Sequence, residues 1–92
     1  MSVSIKTIRT AAEAAKEFRA NLSFGAGQQQ GFVMVYRGVP FRWSSDLAQP
    51  KTVRPGVIAV PPEGMKGRIY QAVGGNDANG AQEFACIFDP AP

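Results

Sequence analysis

The chain has 92 residues, 45% of them hydrophobic and 18% charged, with a formal net charge of +3, one cysteine and no histidine. That length makes one domain burying roughly 60–65% of its unfolded surface, and the composition excludes a disordered chain. The missing histidines and the lone cysteine exclude a His-based triad, a Cys–His dyad and a thiolate or His-containing zinc site.

The acidic residues are scattered singly, so no carboxylate pair is marked out for general acid–base work. A non-enzymatic protein without cofactor or metal is expected. No apolar run approaches the ~20 residues of a membrane span. The opening MSVSIKTIRT lacks the apolar region of a signal peptide. Cys86, within EFACIF, reads as a buried thiol, and together these features point to the cytoplasm.

In chain order, SVSIK alternates Val3 and Ile5 and reads as a short strand or leader. Thr10 stands three residues before Glu13, a capping-box spacing, ahead of an alanine-rich run. Ile8, Ala12, Ala15, Phe18 and Leu22 keep helical spacing, with Arg19 at the stripe's edge, which predicts a helix over about 10–21. Small alanines allow that helix to lie close to a sheet. SFGAGQQQG (23–31) reads as a linker: it lacks G-K-[ST] and follows a helix where a phosphate loop would follow a strand.

FVMVYRGVPFRW (32–43) reads as a hairpin turning at Arg37–Gly38. A regular register would pair Tyr36 with Val39, Met34 with Phe41 and Phe32 with Trp43. All six would then share one face, expected to lie beneath the helix. Arg42 would fall on the other face with Val33, Val35 and Pro40. Pro40 lacks a donor, which places its strand at an edge or bulge.

SSDLAQPKTVRP (44–55) reads as a surface loop anchored by Leu47. Strands are expected over 56–60, 68–73 and 82–88, the first ended by PPEGMKG. In the last, Phe84, Cys86 and Phe88 would share a face. Asp89 to Pro92 reads as a frayed tail. Short connections disfavour parallel pairing. The expected fold is α+β: one N-terminal helix packed on a mainly antiparallel sheet of four to six strands, with the 32–43 hairpin at its centre.

AVGGNDANGAQEF (72–84) poses the question of an ion or phosphate site. A calcium loop spaces oxygen ligands at alternate positions; here Asn76 and Asp77 are adjacent and Glu83 arrives late. A phosphate nest would have no basic neighbour and would face Asp77. Glycine and asparagine accept left-handed backbone, so a connector between antiparallel strands accounts for the stretch.

Charge is uneven. Arg37, Arg42, Lys51, Arg54, Lys66 and Arg68 make the middle basic, while Asp77, Glu83 and Asp89 make the end acidic. The two zones either attract each other or mark a partner. The candidate partner-binding residues are Arg37, Arg42, Lys51, Arg54, Asn76, Asp77 and Asn79. Aromatic residues interleaved with arginine also fit a nucleic-acid module, although the hairpin register assigns those aromatics to the core.

SIKTIRTAAEAAKEF, RPGVIAV and AVGGNDANGAQ, about a third of the chain, resemble stretches of ArdR-type antirestriction proteins of plasmids and integrative conjugative elements. The resemblance implies an accessory protein that helps mobile DNA survive a host defence system. A net-positive chain is unsuited to imitating DNA with dense negative charge. The expectation is therefore a factor that binds a host protein or ribonucleoprotein complex, the alternative being a basic nucleic-acid-binding module.

Overall fold

In the computed structural model, β1 (Phe32–Tyr36), β2 (Val39–Ser44), β3 (Ile58–Val60), β4 (Ile69–Val73) and β5 (Glu83–Phe88) form one antiparallel sheet in the order β2-β1-β3-β4-β5, with one helix across a face. Residues 4–21, 31–45, 47 and 49–90 are described. Residues 23–30 of the linker, Leu22 of the helical stripe, residues 1–3 of the leader, Asp46 and Ala48 of the loop, and the last two residues of the tail lie outside them.

The helix, α1 (Ile5–Asn21), begins a turn earlier than the capping-box spacing suggested. Ser4 is the cap: its hydroxyl accepts from the Thr7 amide at 3.2 Å and bonds the Thr7 hydroxyl at 2.9 Å. Thr10 lies inside the helix, its hydroxyl donating back to the Lys6 carbonyl at 2.9 Å. Ile8, Ala11 and Ala15 form the buried stripe, with Ala12, Ala14 and Phe18 partly buried beside it. Arg19 reaches off the stripe and donates to the Gly31 carbonyl at 3.0 Å, tying the helix to the start of the sheet. Burial lowers its pKa, and Glu63 partly offsets that.

β1 (Phe32–Tyr36) and β2 (Val39–Ser44) form the hairpin. Both turn residues have positive φ, Arg37 at 52° and Gly38 at 81°, the geometry that suits a two-residue connection. The register begins as expected, Tyr36 opposite Val39 and Val35 opposite Pro40. It then shifts: Met34 pairs with Arg42, Val33 with Trp43 and Phe32 with Ser44. Phe41 is the extra residue of a β-bulge beside the donorless Pro40.

The bulge corrects the expected faces. Trp43, opposite Val33, packs on the helix side, and Arg42, opposite Met34, joins the other face. The six hairpin residues therefore do not share one side. The helix covers Val33 and Val35, together with Ile58, Val60 and Ile69, rather than Phe32, Met34 and Tyr36. β-branched side chains give this face a smooth surface on which alanines approach closely.

The hairpin also lies at one side of the sheet. β2 is an edge, and the middle strand is β3 (Ile58–Val60), whose three residues are all buried. A strand covered on both faces reads as an unbroken apolar run, and VIAV is one. β4 (Ile69–Val73) and β5 (Glu83–Phe88) complete the sheet.

A second irregularity lies between β4 and β5: Ile69 pairs with Phe88, but Tyr70 with Cys86. The additional residue, Ile87, turns Phe88 to the helix side, where both pack against the core. Phe84 packs on the opposite side with Tyr70. The expected common face of Phe84, Cys86 and Phe88 is thus broken, and Cys86 on this edge strand is exposed rather than buried.

The face away from the helix has its own core of Met34, Val53, Val57, Ala59, Ala72 and Ala81. No second helix covers it among the described residues; two loops do. Residues 47–57 contribute Leu47, Val53 and Val57, and a single 3-10 turn, Pro50–Thr52. Residues 74–82 lie beside them, the Ala81 amide donating to the Val53 carbonyl at 2.9 Å. Phe32 and Tyr70 meet edge to face, ring centres 6.2 Å apart.

Ile69 is fully buried, so Ile69→Ala is expected to cost about 2–5 kcal/mol in urea denaturation. A Cβ on Gly80, whose φ is +84°, would run into the Lys51 carbonyl, whereas one on Gly38 would meet only the Thr10 methyl at 3.6 Å. Gly80→Ala is expected to cost ~2 kcal/mol or more, and Gly38→Ala ~1 kcal/mol. Ellman's reagent is expected to titrate the single thiol of Cys86 in the native protein without denaturant.

Candidate functional site

The candidate site is the corner of the helix-free face beside the hairpin. Tyr36 from β1, Val39 and Phe41 from β2, and Thr52, Val53, Arg54 and Val57 from the covering loop line a groove of ~450 Å³. Val53 and Val57 are buried and form its floor. Val39 and Phe41 are 63% and 48% exposed, two of the few large apolar side chains the described residues leave open to solvent. The bulge frees Phe41 from a partner on β1, and no helix among the described residues covers this face.

Arg54 is part of the groove lining, and Arg37 and Arg42 lie against two of its aromatic residues. The Arg54 guanidinium lies 4.9 Å from the centre of the Tyr36 ring, and that of Arg37 lies 5.3 Å from it. Arg42 lies 5.8 Å from the centre of the Phe41 ring. These are cation–π distances, and the rings restrict otherwise mobile side chains. Hydrogen bonding to Tyr36, and then the charge of Asp77, raise the Arg54 pKa above its ordinary value. Arg54 therefore remains charged throughout the accessible pH range.

Of the residues singled out in the sequence, Arg37 and Arg54 converge on Tyr36, Arg42 stands over Phe41, and Asp77 lies near enough to act on Arg54. Lys51 enters through its backbone, which lies against Gly80. Its exposed side chain projects from the same 3-10 turn as Thr52.

Asn76 is engaged within its own loop through its side chain, and Asn79 through its backbone amide. The Asn76 side-chain oxygen accepts from the Asn79 amide at 2.8 Å, and the Asn76 and Gly80 backbones bond each other at 2.8 and 3.1 Å. The stretch is a closed turn whose geometry uses the oxygen that an ion would need. No cluster of three or more metal-binding side chains occurs among the described residues.

Tyr36, Val39 and Phe41 were the residues that a regular register concealed. Pro40, next to the site of the register shift, was the signal that could have found Phe41. The acidic end of the chain partly neutralises its own basic middle: Arg68 and Asp89 form an exposed ion pair at 3.3 Å. Arg37 and Arg42 lie at the other edge of the sheet, on the hairpin.

No described helix is long and apolar enough to cross a membrane. The stacking of Arg54 on Tyr36 is directly observable. In proton NMR the Arg54 Hδ resonances are expected upfield of their usual positions, returning toward them in Tyr36→Leu. Comparison of the chain with protein-family models, with curated proteins and with solved structures returns no match.

Proposed function

We propose that the chain is a non-enzymatic, cytoplasmic accessory factor that binds another protein through the groove beside the hairpin. The observation that carries this reading is the exposure of Val39 and Phe41 on an apolar groove ringed by arginines. A small domain leaves bulky apolar groups in solvent at the expense of hydrophobic burial. When two adjoin a groove and arginines flank them, the composition is that of an interface centre: aromatic and arginine anchors with few lysines or acids.

The resemblance of SIKTIRTAAEAAKEF, RPGVIAV and AVGGNDANGAQ to antirestriction proteins supports a mobile-element role, counteracting host defence by engaging a protein or ribonucleoprotein complex. The positive net charge agrees with binding such a complex rather than imitating DNA.

A specific observation favours a second reading. Phe41 is an exposed aromatic with Arg42 beside it, the pairing that nucleic-acid modules use for stacking and phosphate contact. Arg37, Arg42, Lys51 and Arg54 would limit the salt slope to about 3–4.

The two readings separate in one comparison. Immobilised wild-type protein is expected to retain a host partner from nuclease-treated lysate. Val39→Ser with Phe41→Ser is expected to lose it, and Arg68→Ala, on the far side of the sheet, to keep it. A gel shift with single-stranded oligonucleotide at low salt, abolished by Arg37→Ala with Arg42→Ala, would instead establish the nucleic-acid reading.

A further inference from the structure

We infer that the segment bound in this groove is an acidic peptide carrying a bulky apolar anchor. This inference rests on the protein-binding reading and specifies the partner's chemistry.

The groove is mainly apolar, with Thr52 and Arg54 in its wall, and its ~450 Å³ accommodates one or two large side chains rather than a whole folded surface. Three guanidinium groups flank it, each held near an aromatic ring. A guanidinium carries five N–H donors in a planar fork, more than a ring contact or one hydrogen bond to Tyr36 uses. Pairs of these donors match the two oxygens of a carboxylate. The aromatic restraint also lowers the entropy lost when the carboxylate binds. An apolar residue seated between Val39, Phe41 and Val53, with carboxylates on either side, satisfies both parts of the surface.

The same geometry disfavours a phosphate chain. Arginine groups already lie over Tyr36 and Phe41, so a base stacking on those rings competes with them. Asp77 acts on Arg54 at one end of the groove, and a polyanionic backbone crossing it would meet that carboxylate. Separate carboxylates can instead settle at Arg37 and Arg42. Asp77 thus occupies, within the chain, part of the charge that a ligand would seek.

The test uses the full chain, ¹⁵N-labelled, and three probes. They are a peptide of sequence EELFEE, its lysine counterpart KKLFKK, and a twelve-nucleotide oligothymidylate. EELFEE is expected to shift the amides of Val39, Phe41, Val53 and Val57 in a saturable manner, more weakly as salt rises. Arg37→Asn with Arg42→Gln removes both charges, and asparagine tolerates the turn's left-handed backbone. This variant is expected to lower the affinity roughly tenfold. Asp77→Asn is expected to raise it several-fold.

Equal or tighter binding of KKLFKK, shifts at these amides from oligothymidylate alone, or no saturable response to EELFEE would overturn the inference. A partner that Arg37→Asn with Arg42→Gln still retains from lysate, while Val39→Ser with Phe41→Ser loses it, would overturn the acidic assignment alone. Loss of every protein partner, with wild-type protein included, would overturn the protein-binding reading beneath it.

Discussion

Between Val35–Pro40 and Met34–Arg42, β2 carries one residue more than β1. Side chains alternate along a strand, so one inserted residue reverses the faces of everything beyond it. Trp43 is thereby turned beneath the helix, where it joins Phe18 against the valine surface of the sheet. Phe41 is left on the opposite side with Tyr36 and Val39, next to Arg42. Without this displacement Trp43 would share a face with Tyr36, Val39 and Phe41 and would be lost from the helix side.

The two faces of the sheet are closed in different ways. Alanines of α1 provide a close, uniform contact with Val33, Val35, Ile58, Val60 and Ile69. The other face is closed by irregular chain, which must satisfy its backbone groups without a helix. It does so by bonding to the sheet and to itself: Gly56 to Ala72, Ala72 to Val57, Ala81 to Val53 and Gln82 to Val73. That layer leaves Val39 and Phe41 at the hairpin end of the face exposed. The groove lies where that layer stops.

The helix, the strands and the antiparallel pairing were legible because each rests on local signals. Alanine propensity, the Arg37–Gly38 turn and unbroken apolar runs such as VIAV are read from neighbouring residues. The assignment of faces was not local. It depended on two register shifts, at Phe41 and Ile87, and each is stabilised by packing from elsewhere in the chain. Trp43 and Phe88 gain burial on the helix side, a benefit invisible to the alternation of either strand alone. The same reason explains Cys86, whose apolar neighbours suggested burial although it sits on an outer strand. The charged residues of the site were identifiable from composition. Their grouping around Tyr36 required the 47–57 loop to fold back over the sheet, which no spacing in the sequence encodes.

Arg37 is the one residue other than glycine with positive φ among those described. A long side chain there is at a disadvantage of ~1 kcal/mol, because asparagine or glycine enters that backbone region with less steric conflict. The hairpin would hold its shape more firmly with either. Keeping arginine at the apex exchanges some rigidity of the scaffold for a positive charge at its most projecting point. Engineering this domain for heat resistance by consensus turn residues would thus blunt the feature by which it meets other molecules.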